Sequence, residues 1–341
     1  MTLLRLTERG LYCEAGDFHV DPWGAVDRAV VTHAHGDHVA WGCRAYLTSA
    51  EGVGVLRSRL PPEAHVTGLA HGAATSVGGV RVSLHPAGHI LGSSQVRLEH
   101  RGEVWVVSGD YKTDPDPTTT PYEPVRCHTF VTESTFGLPI YRWPPQQDVL
   151  REINDWWRAN QAAGKATLLY GYALGKAQRL LAGLDPAIGP IFTHGAVERM
   201  TAVYRAAGVA LPATTHAGAV DRRSDWSRAI VIAPPSADGS VWTRRFGPQA
   251  TGFASGWMLV RGARRRRSLD RGFPLSDHVD WPALMAAVDA TGAERVWVTH
   301  GFTGPVVRWL RERGLDARAV QTRFEGDVED DAVTPDEETA G

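Results

Sequence analysis

The chain has 341 residues and a net charge of −2, with 43% hydrophobic and 22% charged residues. These proportions exclude wholesale disorder and suit two domains, or one domain interrupted by an insertion. No apolar run reaches the roughly 18–20 residues that cross a bilayer, and the start MTLLRLTERGLY carries no mark of a secretory signal. Cys13, Cys43 and Cys127 are too scattered for a disulfide framework or a thiolate zinc site, so a cytoplasmic protein without a membrane partner is expected. Charge is unevenly spread. Residues 325–341 carry eight acidic side chains and no basic ones, which predicts a disordered acidic tail and leaves 36 basic against 30 acidic residues in the body. A mildly basic body permits a polyanionic partner.

In chain order, the first 140 residues read as short strands joined by Gly- and Pro-rich turns. Val30 and Val31 lead into a His-rich loop, and strands are predicted over Val80–Leu84, Gln95–Glu99, Val104–Val107 and Thr129–Val131. After Pro144 and Pro145 the texture changes. Gln146–Ala163 places Val149, Ile153, Trp156 and Trp157 at helical spacing. Strand and helix patterns then alternate: Ala166–Tyr170, Lys176–Leu184, Ile191 and Phe192, Ala196–Ala207 and Ala229–Ala233. Such alternation predicts a small α/β unit with a largely parallel sheet. Beyond the run RGARRRR at 261–267 come a helix over Trp281–Thr291, a strand over Arg295–Thr299 and a helix over Val306–Arg313.

The segment THAHGDH, residues 32–38, carries the strongest chemical signal. Three imidazoles and a carboxylate within six residues are costly to bury without partners, and they are suitable ligands for zinc or manganese. His33 and His35 can reach one ion from a tight loop while Asp37 and His38 point to a second. His89, Asp110 and His300 each follow a predicted strand, a placement that keeps a site on rigid elements. This gives His33, His35 and His89 for one ion, Asp37, His38 and His300 for the other, and Asp110 as a bridging carboxylate.

The HAHGDH loop resembles the signature of the metallo-β-lactamase superfamily, and later segments resemble its nucleic-acid-cleaving branch, the β-CASP nucleases. Asp21 in FHVDP resembles the aspartate that supports the ligand loop, hydrogen-bonding a ligand imidazole from behind. Glu133 in VTESTFG, His278 in LSDHVD and His300 in VTHG resemble the three β-CASP motifs in order. The segments LYCEAGDFHVDPW, YGYALGKAQR, THGAVERM and SGWMLVRGARRRR look like the bacterial ligase-associated DNA exonucleases, relatives of the Snm/Artemis group. This resemblance implies a four-layer αββα sandwich, the metallo-β-lactamase fold, with an inserted α/β β-CASP domain. The core would comprise residues 1–145 and 266–324, the insertion 146–265, and the tail 325–341.

The implied function is a metal-dependent DNA exonuclease of DNA repair, working from 5′ ends of single-stranded or frayed DNA and associated with a DNA ligase and a helicase. Two divalent ions, zinc or manganese, about 3.5–4 Å apart would activate water for attack on phosphorus. Asp37 counts as both ligand and catalytic carboxylate, and Glu133 with His278 would deliver the proton to the leaving oxygen. Ser134, Thr135 and Lys176 are candidate contacts to a terminal phosphate, Lys176 lying where a strand gives way to a helix. Arg261 and Arg264 are candidates to track the backbone. An RNA-processing β-CASP ribonuclease is the alternative, because the ligands alone do not separate DNA from RNA. A thioester or lactam hydrolase would leave the insertion unexplained.

Overall fold

The computed structural model describes residues 2–221, 223–260 and 269–322, so Arg261, Arg264 and the acidic segment 325–341 lie outside the described residues. The chain opens with a six-stranded sheet in sequential order: β1 (Arg5–Thr7), β2 (Gly10–Cys13), β3 (Phe18–Val20), β4 (Arg28–Val30), β5 (Ala45–Ser49) and, after helix α1 (Val53–Arg57), β6 (Val66–Leu69). Its first two pairings are antiparallel and the rest parallel. A second sheet follows with β7 (Ala74–Val77), β8 (Val80–Pro86), β9 (Ser94–His100), β10 (Glu103–Val107) and β11 (Thr129–Glu133).

Helix α2 (Gln146–Ala162) then leads into a third sheet. It contains β12 (Ala166–Tyr170), β13 (Ile191–Thr193), β14 (Thr215–His216), β15 (Ile230–Ala233), β16 (Gln249–Ala254) and β17 (Arg271–Phe273), with α3 (Lys176–Gly183) and α4 (Gly195–Ala206) between strands. All its pairings are parallel, in the order β14-β13-β15-β12-β16-β17. Apolar helices and loops cover both faces, so β12 and β15 are buried at every residue. The expected boundary at 265 falls before β17, which pairs with β16. The chain then returns through α5 (Trp281–Thr291), β18 (Arg295–Thr299), α6 (Thr303–Glu312) and β19 (Asp316–Ala319), and β18 pairs with β11 in the second sheet.

Period-two alternation builds the four layers. Trp105, Val107, Val131 and Trp297 turn inward to meet Leu11, Phe18, Val20 and Val30 of the first sheet. Their neighbours Val106, Phe130, Val296 and Val298 turn outward onto Leu284, Val288, Val306 and Leu310 of α5 and α6. On the far side, Ala29, Val31 and Tyr46 pack against Val55 and Leu56 of α1 and Tyr204 of α4. Helix α4 therefore belongs to two cores, since its Val197 packs under the third sheet. The result is an α/β sandwich of layers αββα with a second α/β unit docked on it. Among the described residues no helix is long and apolar enough to cross a membrane.

Candidate metal centre

The site lies at the carboxyl ends of parallel strands, where open α/β sheets leave a crevice. Asp110 follows β10, Glu133 ends β11 and His300 follows β18, with Glu133 directly opposite Thr299. The first sheet contributes Asp21 after β3 and the loop 32–38 after β4. Asp21 and His300 both have left-handed backbones, φ 44° and 48°, a conformation costing roughly 1–2 kcal/mol in an L-residue. Such strain persists where surrounding contacts enforce it, often at functional sites. Gly109, φ 56°, makes room for the loop: a Cβ there would lie 2.5 Å from Thr32 Oγ1.

Hydrogen bonding fixes which nitrogen each histidine presents. Thr32 Oγ1 donates to Asp21 Oδ2 at 2.6 Å, so it accepts from His33 Nδ1–H at 3.0 Å and leaves the His33 Nε2 lone pair free. His35 Nε2 donates to the Leu174 carbonyl at 3.3 Å, and His89 Nδ1 donates to the Asp277 carbonyl at 2.9 Å. The remaining nitrogens converge: His33 Nε2 lies 3.2 Å from His35 Nδ1, which lies 3.0 Å from His89 Nε2. Burial, reinforced by neighbouring imidazoles, holds His33 and His89 well below the ordinary histidine pKa. Lone pairs facing one another at these distances repel, and a cation between them would turn that repulsion into attraction. Asp110 Oδ2, 3.4 Å from His33 Nε2 and 3.8 Å from His89 Nε2, completes a donor set suited to zinc or manganese.

The second group is arranged on the same principle. His38 Nδ1 donates to Asp21 Oδ2 at 2.7 Å. Its buried Nε2 has no hydrogen-bond partner, yet lies 3.5 Å from Asp110 Oδ2 and 3.6 Å from Asp37 Oδ2. Burial disfavours the His38 cation, but Asp37, Asp110 and Asp21 outweigh it and raise its pKa well above the ordinary value. A positive charge is wanted at this point. Thr299 Oγ1 donates to the Thr132 carbonyl at 3.1 Å and so receives His300 Nδ1–H at 3.2 Å, leaving Nε2 for a ligand. Asp37, His38 and His300 bring one ligand atom each within 4.8 Å of one another. The residues present fit a divalent-metal centre with two donor groups, and Asp110 Oδ2 lies within 3.5 Å of a nitrogen from each.

Beside this centre, His278 Nδ1 lies 2.9 Å from Glu133 Oε2, and Glu133 Oε1 accepts from the Tyr111 amide at 2.9 Å. The His278 ring stands 4.7 Å from that of His89. Ser134 donates to the carbonyls of Thr299, at 3.1 Å, and His300, and Thr135 is buried next to it. Lys176 is 3% exposed and pairs with Asp277 Oδ2 at 2.8 Å, lining a small pocket with His35, His89, His278 and Ser255.

Comparison with known proteins places this geometry. A protein named "Probable DNA ligase" from Opitutus terrae is 34% identical over 314 residues, 91% of this chain and 30% of that protein. Mouse "DNA cross-link repair 1A protein" is 26% identical over 163 residues, 46% of this chain and 16% of that protein. The chain belongs to the metallo-β-lactamase superfamily, on its β-CASP branch. It spans about 30% or less of the length of these two curated relatives. No family model matches it. The crystal structure of a protein of unknown function from Enterococcus faecalis V583 shares the fold, with a TM-score of 0.61 at 11% identity over 88% of this chain and 80% of that one.

Asp21 apart, the groups that orient the ligands here lie outside the motif residues singled out in the sequence. Thr32, Thr299 and the carbonyls of Leu174 and Asp277 hold four of the imidazoles, and Arg179 and Asp116 lie buried behind His89. Thr32 and Asp277 stand next to motif histidines in sequence, and Arg179 stands three residues after Lys176 on the same face of α3. Adjacency was their only signal.

Proposed function

We propose that the chain is a metal-dependent DNA exonuclease of repair, a phosphodiester hydrolase acting from 5′ ends on single-stranded or frayed DNA. The observation carrying this reading is Asp110 Oδ2, within 3.4–3.8 Å of His33, His38 and His89 nitrogens, where one carboxylate oxygen serves both donor groups. His33, His35, His89 and Asp110 would hold one ion and Asp37, His38, His300 and Asp110 the other, with Asp21 orienting His38. Two divalent ions there would supply Lewis acidity, lowering the pKa of an attacking water and offsetting charge on the phosphoryl oxygens.

The rest of the chemistry belongs to side chains. Glu133 accepts His278 Nδ1–H and favours the imidazolium, whose Nε2–H can then protonate the leaving oxygen. Lys176 lines the pocket beside His278, while Ser134 and Thr135 are assigned to a terminal phosphate, and Arg261 and Arg264 to the strand's backbone, from sequence alone. Residues 1–145 with 266–324 form the core in this reading and 146–265 the inserted unit, with β17 of the second core segment pairing onto the inserted unit's sheet. Association with a DNA ligase is supported by the ligase-named relative; association with a helicase rests on the family resemblance. A cytoplasmic setting agrees with three buried free thiols.

The test is a digest of matched DNA and RNA strands, labelled at either end, with and without a 5′-phosphate, in manganese or zinc. Stepwise shortening of DNA from the phosphorylated 5′ end is expected. Preferred or internal cutting of RNA moves the chain to RNA processing, and hydrolysis of a thioester or lactam with no strand cleavage overturns the nuclease reading.

A further inference from the structure

Two of the imidazoles that converge beside Asp110 are held by segments bordering the third sheet. His35 Nε2 donates to the carbonyl of Leu174, in the turn between β12 and α3, and His89 Nδ1 to that of Asp277, just after β17. His38 and His300 are held by Asp21 and Thr299, which belong to the core sheets. The two donor groups thus differ in what steadies them.

Arg179, on α3, draws these bordering segments together. It is 1% exposed. Its Nη2 donates to the carbonyl of His89 at 3.0 Å and reaches that of Gly88 at 3.5 Å, and its Nη1 donates to the carbonyl of Ser276 at 3.3 Å. Nε lies 3.1 Å from Asp277 Oδ1 and 3.4 Å from Asp116 Oδ2. One turn earlier, Lys176 donates to the Leu275 carbonyl at 2.9 Å and pairs with the other Asp277 oxygen. The guanidinium therefore grips the backbone of His89 and the side chain of Asp277, the two residues joined by the bond that sets the His89 ring. A planar fork with five donors on three nitrogens spans acceptors farther apart than the three donors on the single nitrogen of an ammonium can.

We propose that Arg179 is a positioning residue that makes the ion at His33, His35, His89 and Asp110 depend on the docking of the inserted unit, while the ion at Asp37, His38 and His300 does not. The inference rests on the two-ion reading of the centre. It predicts linkage: a strand that holds the inserted unit against the core tightens this ion, and the ion tightens the strand by the same factor.

The experiment uses full-length Arg179→Met and Arg179→Lys, stripped with a chelator and titrated with zinc against a chromophoric competitor, with circular dichroism as the folding control. The wild-type protein is expected to take two ions per chain. Both variants should bind one ion with wild-type affinity and the other about 10–100-fold more weakly, the size of effect seen when an orienting partner is lost. Should Arg179→Met fail to fold, Arg179→Lys keeps a cation opposite Asp277 and Asp116 and carries the test. A folded variant that binds both ions as tightly as wild type overturns the proposal, as does equal weakening of both ions, which marks a strut of the whole fold. The nuclease reading fails separately, if wild-type protein loaded with two ions cleaves no strand while the variants still show the one-ion loss.

Discussion

Asp21 serves three donors with two oxygens: the Thr32 amide at 2.8 Å, the Thr32 hydroxyl at 2.6 Å and His38 Nδ1 at 2.7 Å. Through Thr32 it also sets the tautomer of His33, so one carboxylate orients a ligand in each donor group. Asp21→Asn replaces an acceptor with an amide donor facing donors. The expected result is a folded protein whose metal affinity falls by about 10–100-fold, read by chelator competition; unchanged affinity contradicts it. Asp110→Ala removes the oxygen common to both groups, and cleavage should fall to background with fewer than two ions retained. Full activity in that variant refutes the site. The candidate metal ligands stand out in the sequence because three histidines and an aspartate in six residues have few other uses, and because His89, Asp110 and His300 follow strand patterns. Their supports are hard to read there: a threonine hydroxyl or a backbone carbonyl leaves no mark in composition.

Among elements, Ala166–Tyr170, Trp281–Thr291 and Arg295–Thr299 have the bounds that their patterns predict. The two strands are five-residue segments with apolar centres, ATLLY and RVWVT, and the helix has Asp280 capping its start, accepting from the Ala283 amide at 3.0 Å, and Gly292 left-handed at its end. The strands β1 to β3 have three or four residues each, too short for a periodic signal, and β1 keeps a largely exposed face. Strand β16 hides behind Gly252, a residue that usually interrupts strands. A Cβ on Gly252 would lie 2.8 Å from the Trp156 ring, so the glycine marks where α2 lies against the sheet. Gly252→Ala should therefore overpack this contact and cost about 1–3 kcal/mol, lowering the urea midpoint with an unchanged slope. A midpoint at or above wild type contradicts that packing.

At the scale of the molecule, Lys176, Arg179, Asp116 and Asp277 form a buried charged cluster where the αββα sandwich meets the parallel third sheet, and the candidate metal centre lies beside it. The layered core also shields the thiols. Burial pushes Cys127 up to about 12, against about 8.5 for a free thiol. Because the folded value is the higher one, its contribution to stability is complete below the unfolded pKa and fades as pH rises toward the folded one. Native protein at about pH 8.5 should resist alkylation and take three labels once denatured, since all three cysteines are buried; rapid native labelling contradicts this burial. Two bound ions should also stabilise the fold, by about 2.7 kcal/mol for each site held at a hundredfold excess over its dissociation constant. The most direct test of the account is reconstitution: protein stripped of metal is titrated with manganese or zinc while cleavage of an end-labelled single strand is followed. The account predicts no cleavage by the stripped protein and full activity only as the second ion per chain is bound. Undiminished cleavage after stripping, or full recovery with a single ion, would contradict it.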